Sequence, residues 1–366
     1  MKVLFISRSY PPMQGGIENQ NFFLAESLRL IVDCTVVANR RGKRYLFFFL
    51  LVATVRSMVS AWRYDAVLLG DAVLAPVGGI LKICYPSKKV VCIVHGLDVT
   101  FGIGTGFIPT IYRLFVFSSL GRFNTLIAVS SYTQSLLQHI GIQTPTTVIP
   151  NGISDTYYVP QYTRNDLEQV IGVSPAGKQV LLLPGRYVKR KGAAWFIENV
   201  LPYLPEDFIL VCAGARPKYT MGDHDEYEIC KKRIEERSFQ NRALLLSDVT
   251  TEHLRILYNT VDLVIMPNIH IKDSVEGFGL VALEAASCAR VIIASDIEGI
   301  PDAIHHMRNG LLVPPEQPEA WIQVVTQFAS DTRGRNEFGE AARHYTLSNF
   351  LWQQCAQRYR DTLYGI

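Results

Sequence analysis

Two glutamates stand eight positions apart in the segment that follows an apolar run from Leu263 to Met266. Glu276 lies in a glycine-containing loop, and Glu284 lies about one turn inside a helix that the pattern starts near Gly279. Carboxylates accept hydrogen bonds from hydroxyl groups, and the first turn of a helix offers free N–H groups to an anion. The spacing therefore predicts a site for a ligand that carries both hydroxyl groups and negative charge.

The helix around Glu284 is otherwise apolar, which disfavours an ordinary solvent-facing glutamate at this position. A carboxylate among apolar side chains needs a partner, because burial of an unpaired charge is costly. We therefore expect the Glu284 carboxylate to be partnered. Its apolar neighbours are Leu280, Val281, Leu283, Ala285 and Ala286.

A second strand-to-helix loop carries four cations between Arg186 and Lys191, and it is framed by Gly185 and Gly192. Arginine can hold a phosphate through its planar fork, and lysine acts as a point charge. A solvated basic loop would explain the charges but not the Gly-Arg and Lys-Gly frame. The loop is therefore a candidate diphosphate clamp formed by Arg186 and Lys191.

Glycines also follow the first apolar strand. Gly15 and Gly16 stand at the start of a helix, where backbone N–H groups can approach a phosphate with the helix dipole behind them. A simple turn explains the pair about equally well, and the GxGxxG fingerprint of dinucleotide-binding proteins is absent at this position. A later set of glycines predicts a flexible loop: Gly102, Gly104 and Gly106.

One histidine occupies a position where function is favoured. His95 comes directly after the apolar strand from Val90 to Val94, which places it at the carboxyl end of that strand. A single histidine is more often structural, but ligands of open α/β folds bind at the carboxyl ends of the strands. We therefore keep His95 as a candidate catalytic residue.

Short apolar runs alternate with segments of helical length along almost the whole chain, a pattern typical of βαβ units and parallel sheets. We predict an α/β fold with two Rossmann-like, doubly wound domains that face a central crevice, because a chain of 366 residues exceeds the size of one core. The first domain spans residues 1–165 and the second 166–345. Strands are predicted near 2–7, 33–38, 66–70, 89–94, 125–129, 146–149, 179–183, 208–213, 243–246, 262–266, 290–294 and 310–313. Helices of the first half are predicted near 16–30, 45–62, 72–84, 107–120 and 131–140.

Composition excludes several classes of protein. The net charge of +3 is too small for a typical nucleic-acid-binding protein, although residues 1–165 carry 15 Lys or Arg against 7 Asp or Glu. The seven cysteines are odd in number and form no CxxC pair, so they indicate reduced thiols in a cytoplasmic protein rather than disulfides or a zinc site. His270, His305 and His306 have no suitable spacing for a metal either.

The basic half contains a segment with two interpretations. Arg40, Arg41, Lys43 and Arg44 precede an apolar stretch that runs from Tyr45 to Val55. This stretch of ~11 residues is too short to cross a bilayer, which needs ~20. It either docks the protein peripherally on an anionic membrane or forms a buried core helix, and the pattern favours neither.

Taken together, these motifs resemble the retaining GT-B glycosyltransferases of glycosyltransferase family 4, also called glycosyl transferases group 1. The similarity covers nearly the whole chain and rests on the E-x7-E segment from Glu276 to Glu284, on Gly185-Arg186 with Lys191-Gly192, on Gly15-Gly16 and on Pro150-Asn151-Gly152-Ile153. It implies an acceptor-binding first domain, a donor-binding second domain, and a C-terminal helix over 346–366 that packs back on the first domain.

The resemblance also implies roles for individual residues. His95 and Glu276 would be catalytic and would bind the donor sugar together with Gly277 and Phe278, and Glu284 would bind the donor ribose. Those implied to bind the donor diphosphate are Gly15, Gly16, Arg186, Lys191, Gly279 and Leu280.

The activity implied is retaining transfer of a hexose from a UDP-sugar or GDP-sugar to a lipid-linked or glycan acceptor. This would serve synthesis of bacterial cell-surface polysaccharide or lipopolysaccharide, in the cytoplasm or peripherally on the inner face of the cytoplasmic membrane. No metal and no cofactor is expected, because Asp223 and Asp225, which have the DxD spacing of metal-dependent GT-A enzymes, open a charged helical stretch where acidic residues favour the dipole. Two alternatives are a UDP-sugar 2-epimerase of the same architecture and a non-catalytic protein that binds sugar nucleotides.

Two segments depart from the family pattern. After Glu284 the family usually has a Gly and then a Pro before the next strand, whereas this chain reads Ser287-Cys288-Ala289-Arg290-Val291. The strand that ends at Ala213 is followed by Gly214-Ala215-Arg216 in place of the usual Gly-x-Gly-Pro end.

Overall fold

The computed structural model describes residues 1–13, 15–216 and 225–365, and the side chain of Lys43 is also left out of the description. The chain forms two compact units. The first contains Met1–Ser154, Asp273–Phe278 and Phe350–Ile366, and the second contains Asp155–Lys272 and Gly279–Asn349. The division therefore falls after Ser154 rather than near residue 165, and the loop that carries Glu276 belongs to the first unit.

The first unit is built on a parallel sheet of six strands. Its strands are β1 (Lys2–Ser7), β2 (Asp33–Ala38), β3 (Ala66–Leu69), β4 (Lys89–Val94), β5 (Thr125–Ala128) and β6 (Thr146–Val148). Their order is β2-β1-β3-β4-β5-β6, and all neighbouring pairs are parallel. The central strands are buried on both faces, which explains why they appear in the sequence as continuous apolar runs.

The second unit repeats this architecture with an unrelated sequence. Its strands are β7 (Gln179–Pro184), β8 (Phe208–Ala213), β9 (Ala243–Leu246), β10 (Leu263–Met266), β11 (Val291–Ser295) and β12 (Leu311–Val313). Their order is β12-β11-β10-β7-β8-β9, again parallel throughout. All twelve predicted strands form, each within one residue of the predicted bounds, and the predicted α/β class is confirmed.

Helices connect the strands of the first unit. They are α1 (Gly16–Arg29), α2 (Leu46–Ser60), α3 (Ala75–Cys84), α4 (Leu97–Ile103), α5 (Phe107–Tyr112), a π-helical turn (Arg113–Phe117), α6 (Ser118–Leu120) and α7 (Ser131–His139). The loop predicted at Gly102, Gly104 and Gly106 is wrong at Gly102, which lies inside α4, whereas Gly104 and Gly106 lie between α4 and α5. A Cβ on Gly102 would come within 2.4 Å of the Phe117 ring, so this glycine permits close packing rather than flexibility.

Eight helices belong to the second unit in the described part of the chain. They are α8 (Arg164–Ile171), α9 (Ala193–Asn199), α10 (Glu226–Glu236), α11 (Thr251–Thr260), α12 (Leu280–Ser287), α13 (Ile300–Ala303), α14 (Pro318–Ser330) and α15 (Thr332–Asn349). The predicted charged helix is α10, and Asp225 caps its N-terminus by accepting from the Tyr227 N–H. Asp223 and His224 lie outside the described residues.

The C-terminal segment returns to the first unit as α16 (Trp352–Tyr364). This helix begins six residues later than residue 346, because α15 continues to Asn349 and the chain then pairs with Ile153 through an isolated β-bridge at Leu351. The Trp352 ring stacks on Phe23 of α1, and Gly152 lies so close to it that a Cβ would be 2.5 Å from the ring. The Gly152 position is therefore restricted to glycine.

Candidate active site

The loop between β7 and α9 folds back over the end of β7. Gly185 has φ +130, and a Cβ at this residue would lie 3.4 Å from Cε of Lys191. The lysine side chain therefore runs along the glycine backbone, an approach that the glycine leaves open. Lys191 is buried, whereas Arg186 is exposed. The structure thus places one buried cation and one exposed cation at the carboxyl end of β7.

Gly192 explains the Lys-Gly frame of this loop. With φ +71, its Cβ position would lie 1.8 Å from the carbonyl oxygen of Pro267, just beyond the end of β10. The N–H of Ile269 also donates to the Arg190 carbonyl over 3.0 Å. The loop after β7 is therefore pressed against the chain that leaves β10, and any side chain at position 192 would collide with backbone.

The start of α12 follows the same edge of the sheet, because β10 is the neighbour of β7. Gly279 is the N-cap residue with φ +95, and Leu280 is the first residue of the helix. Since glycine has no side chain, it cannot cap the first N–H groups of α12. These donors and the helix dipole favour an anion at this position.

The Glu284 carboxylate is partly buried and is held by two tyrosines. The hydroxyl of Tyr258 donates to Oε2 over 2.7 Å, and the hydroxyl of Tyr157 donates to Oε1 over 3.2 Å. Burial raises the pKa of Glu284, while these two hydrogen bonds and the charge of Lys191 oppose that rise. Lys191 and Glu284 therefore lie near enough to interact electrostatically, which joins the predicted diphosphate clamp to the predicted ribose-binding residue.

Tyr157 and Tyr258 were not predicted from the sequence, because the two tyrosines lie 127 and 26 positions from Glu284. Asn259 fixes the segment that carries Tyr157. Its Nδ2 donates to the Tyr157 carbonyl over 2.9 Å, and its Oδ1 accepts from the N–H of Val159 over 2.9 Å. The apolar surroundings of Glu284 indicated that a partner must exist, but they carried no signal for which residue it would be.

His95 is buried at the end of β4 with a defined ring orientation. Its Nε2 lies 2.9 Å from the Gly70 carbonyl oxygen. Because a carbonyl can only accept, Nε2 carries the proton, and in the neutral ring Nδ1 is the acceptor. Asp98 holds the loop around this histidine, since its carboxylate accepts from the N–H groups of His95 and Ala72. Asp98 is a further residue that sequence reasoning missed.

The loop of Glu276 packs directly against the His95 loop within the first unit. A Cβ on Gly277 would lie 2.0 Å from the His95 carbonyl oxygen, and a Cβ on Gly96 would lie 3.4 Å from Cα of Gly277. Phe278 is buried, and Glu276 is partly exposed. The structure therefore brings His95, Glu276, Gly277 and Phe278 together, and it requires glycine at position 277.

The pair Gly15 and Gly16 lies at the start of α1, the helix that follows the first strand. Glu18 turns back toward this helix start, because its Oε2 would lie 2.3 Å from a Cβ on Gly15. An acidic side chain at a helix N-terminus satisfies the same dipole that would attract a phosphate. A phosphate could therefore bind at this glycine pair only if the Glu18 side chain moved.

Comparisons with known proteins show the family of the chain. The family model described as Glycosyl transferases group 1 matches residues 165–345, and the model described as Glycosyltransferase Family 4 matches residues 2–157. The chain belongs to glycosyltransferase family 4.

Curated relatives of this glycosyltransferase are similar over part of their length. The α-maltose-1-phosphate synthase of Mycolicibacterium smegmatis is 27% identical over 222 residues, which cover 58% of this chain and 54% of the relative. The D-inositol 3-phosphate glycosyltransferase of an Arthrobacter species is 30% identical over 221 residues, covering 57% and 47%. The chain thus spans about half the length of the curated relatives it matches.

A solved structure confirms the GT-B fold of the glycosyltransferase. HepE of Anabaena, solved in complex with UDP and glucose, superposes with a TM-score of 0.78 at 20% identity, and the match covers 100% of both chains. At this identity the likeness concerns the fold alone.

The segment after Glu284, where the family usually has a Gly and then a Pro, has an unusual backbone in this chain. Ala289 stands in the turn between α12 and β11 and adopts φ +56, a left-handed conformation that favours glycine. Its carbonyl oxygen would lie 2.2 Å from a Cβ on Gly339 of α15, so the turn is also tightly packed. The turn keeps the conformation that a glycine would adopt, although alanine occupies it.

Proposed function

We propose that this glycosyltransferase moves a hexose from a UDP-sugar or GDP-sugar to a lipid-linked or glycan acceptor, with retention of the anomeric configuration. The observation that carries the proposal is the placement of buried Lys191 near the tyrosine-held carboxylate of Glu284 beside the start of α12. A cation and free N–H groups suit a diphosphate, and a fixed carboxylate suits the hydroxyl groups of a ribose. The UDP and glucose bound in the HepE structure support the same class of donor.

The proposed chemistry depends on charge development at the leaving group. As the glycosidic bond of the donor breaks, negative charge grows on the departing diphosphate, and Lys191, Arg186 and the N–H groups at Gly279–Leu280 would stabilise it. Donors that are already oriented need no reorganisation at that moment, which is the main source of such catalysis. Removal of the Lys191 side chain should therefore slow transfer, even though Lys191 would contact the diphosphate and not the sugar.

The sugar itself would be oriented by the first unit. The Nδ1 atom of His95 can accept a hydrogen bond from a sugar hydroxyl, since Nε2 is engaged with the Gly70 carbonyl. The Glu276 carboxylate would accept from other hydroxyls, with Gly277 and Phe278 shaping the loop. Orientation of the reacting groups lowers the barrier by removing translational and rotational freedom beforehand.

We propose that transfer needs no divalent metal. Among the described residues, no group of three or more His, Cys, Asp or Glu is placed to hold a metal ion, and cations occupy the proposed diphosphate site. Activity should survive a chelator without loss. Activity that a chelator abolishes and that magnesium or manganese restores would contradict this proposal.

One panel of assays tests the donor and acceptor classes. The enzyme is incubated with several UDP-sugars and GDP-sugars, and release of nucleoside diphosphate is measured with and without extracted membrane lipid. Release that depends on the lipid extract supports the proposal. Conversion of a UDP-sugar to its epimer would indicate a 2-epimerase, and binding without turnover would indicate a non-catalytic protein.

The relatives favour a second candidate acceptor. One is named for synthesis of α-maltose-1-phosphate and another for glycosylation of D-inositol 3-phosphate. A small phosphorylated acceptor is therefore the alternative to a lipid-linked acceptor. The panel should include inositol phosphate and glucose 1-phosphate, and release stimulated by either compound but not by the lipid extract would select this alternative.

We further propose that the first unit docks on the anionic inner face of the cytoplasmic membrane through Arg40–Trp62. The interpretation of α2 as a wholly buried helix is wrong: only Phe49, Ala53 and Ser57 are buried along it. By length and composition alone, the helical stretch Leu46–Arg63 could span a membrane. The buried stripe instead fixes α2 to the core of the first unit, so the helix would lie along the membrane surface with its remaining apolar side chains in the lipid.

In the docked state, exposed Arg40, Arg41 and Arg44 would contact anionic headgroups. Co-sedimentation with anionic and neutral vesicles tests this placement. The wild type is compared with a variant in which the cations at 40, 41, 43 and 44 are replaced by Ser. Equal partitioning of both proteins on both types of vesicle would contradict the docking.

A further inference from the structure

A second segment of the first unit exposes apolar side chains in a way that the activity does not explain. In the stretch from Phe107 to Phe117, Phe107 is 80% exposed and Leu114 is 65% exposed, and Ile108, Ile111 and Phe115 are also exposed. Monomeric soluble proteins rarely leave contiguous apolar patches of this kind in water. Such a patch marks a binding surface.

This segment is anchored to the same core as α2. Val116 and Leu120 are buried in one hydrophobic cluster together with Phe49 and Ala53 of α2 and with Leu81 of α3. Helix α3 packs against α2 and also against the π-helical turn and α6. The three helical segments therefore cover one face of the first sheet as a single layer.

The outer surface of this layer exposes apolar side chains on all three segments. On α2 the exposed apolar side chains include Phe47, Val55 and Val59, and on α3 they include Ile80 and Ile83. Because α3 lies between α2 and the segment from Phe107 to Phe117, these side chains connect the two outer patches. We call this surface, formed by α2, α3 and residues 107–117, the apolar face.

The chain around the apolar face is strongly basic. From residue 40 to residue 122 the sequence contains eleven Lys or Arg, no Glu and three Asp. Two of the three aspartates, Asp71 and Asp98, are buried, so their charges do not balance the surface. Arg56, Arg63, Arg113 and Arg122 are exposed beside the apolar residues. Apolar side chains edged by cations suit the boundary between acyl chains and anionic headgroups.

A sharp bend in the backbone precedes residues 107–117. Helix α4 and the helical stretch Phe107–Leu120 meet at an angle of 114°, and the chain between them runs from Gly104 to Gly106, where Gly106 has φ +120. Phe107 and Ile108 follow this corner directly. Buried Val99 in α4 and buried Val116 keep both arms attached to the core, so the bent pair would lie along a membrane rather than cross it.

We propose that residues 107–117 form a second membrane anchor, so that the first unit binds an anionic lipid bilayer through α2 and this segment together. This inference rests on the proposed docking of α2 and extends it to a separate part of the chain. The occupant of the apolar face is a bilayer with anionic headgroups. Two anchors on one rigid layer would set the orientation of the unit on the membrane, which a single helix would leave free to roll.

The first test uses vesicles of phosphatidylglycerol mixed with phosphatidylcholine, and vesicles of phosphatidylcholine alone. The full chain is compared with a Phe107→Ser/Leu114→Ser variant. A matched control is Leu30→Ser/Tyr203→Ser, which removes two equally exposed apolar side chains, at 76% and 69%, that lie outside the apolar face. Loss of two inserted side chains should lower partitioning on the anionic vesicles about tenfold or more, whereas the control should partition like the wild type.

The second test reports insertion of the segment itself. The four tryptophans all lie in the described part of the chain, and Trp62, next to α2, is the most exposed of them. In a Trp62→Phe background, Phe107→Trp gives a reporter on the second anchor. We expect its emission to shift to the blue on addition of anionic vesicles and to be quenched by brominated lipids. An unshifted and unquenched emission, with Phe107→Ser/Leu114→Ser still partitioning like the wild type, would overturn the second anchor.

A further measurement separates the bilayer from a second copy of the chain. Sedimentation velocity without lipid should show a monomer for the wild type and for both Ser variants. A wild-type dimer that Phe107→Ser/Leu114→Ser dissociates would overturn the bilayer as the occupant. The activity is tested independently, because nucleoside diphosphate binding in solution needs no membrane. If the wild type fails to bind any nucleoside diphosphate, the proposed donor is wrong while the vesicle results still decide the anchor.

Discussion

Tyr258→Phe is the most direct test of the proposed ribose site. The substitution removes one hydroxyl and keeps the ring, which is fully buried in the second unit. The lost contact is a 2.7 Å hydrogen bond to a carboxylate, and hydrogen bonds to charged groups contribute about 1.5–3 kcal/mol. If Glu284 must be held in place to accept ribose hydroxyls, affinity for the nucleoside diphosphate should fall about tenfold to a hundredfold.

The pH dependence of binding gives a second signature of the same substitution. Burial raises the pKa of Glu284, and the Tyr258 hydrogen bond opposes this rise. The ionised carboxylate is the better acceptor, so binding should weaken as the pH falls through the pKa of Glu284. Tyr258→Phe removes an opposing contribution, and the loss of binding should therefore begin at a higher pH than in the wild type.

Isothermal titration calorimetry with nucleoside diphosphate at a series of pH values measures both effects. Tyr359→Phe is the matched control, because Tyr359 is also a fully buried tyrosine but lies in α16 of the first unit. The variant Glu284→Gln has no titratable group at position 284, so any pH dependence of its binding comes from the nucleotide itself. If Tyr258→Phe and Tyr359→Phe weaken binding equally and leave its pH profile unchanged, the positioning role of Tyr258 is refuted.

Three further predictions concern single residues. Lys191→Ala should weaken nucleoside diphosphate binding about tenfold or more, because it removes a charge-assisted contact of about 1.5–3 kcal/mol; unchanged affinity by calorimetry would exclude Lys191 from the clamp. Glu276→Gln should lower turnover more than nucleotide binding, and Glu284→Gln should do the reverse, since we propose that the first carboxylate contacts the sugar and the second the ribose; equal losses of nucleotide affinity would contradict this division. Ala289→Gly should raise the free energy of unfolding by about 0.5–1 kcal/mol in urea titrations, because the φ of +56 strains alanine by more than the extra unfolded-state freedom of glycine costs; a lower stability would show that the turn is not strained.

Local sequence determined the strands and most of the helices. Runs such as Val90 to Val94 are apolar at every position because parallel strands are buried on both faces, and this pattern depends on neighbours only a few residues away. The glycines Gly185 and Gly192 likewise indicate the loop after β7 from its local sequence alone. Family membership also followed from short motifs, because each motif is a contiguous stretch.

Long-range packing decided what local pattern left open. Gly102 indicated a loop by composition, but it lies inside α4, where the Phe117 ring packs against it. The partners of Glu284 come from segments far away in the chain, so no spacing rule could name Tyr157 or Tyr258. The approach of Gly277 to the His95 carbonyl joins loops that are separated by about half of the chain.

The helix α2 shows most clearly where sequence information ends. It is apolar around most of its circumference, so its periodicity could not distinguish a core helix from a surface helix. Only the tertiary structure decided that a single stripe is buried, because the number of neighbours that cover a helix depends on elements elsewhere in the chain. The same reason applies to residues 107–117, where Val116 is buried and Tyr112 and Phe117 pack partly buried against the core, whereas Leu114 and Phe115 stay exposed. The sequence by itself therefore determined which segments are apolar, and the packing of the first unit determined which of them remain on its surface.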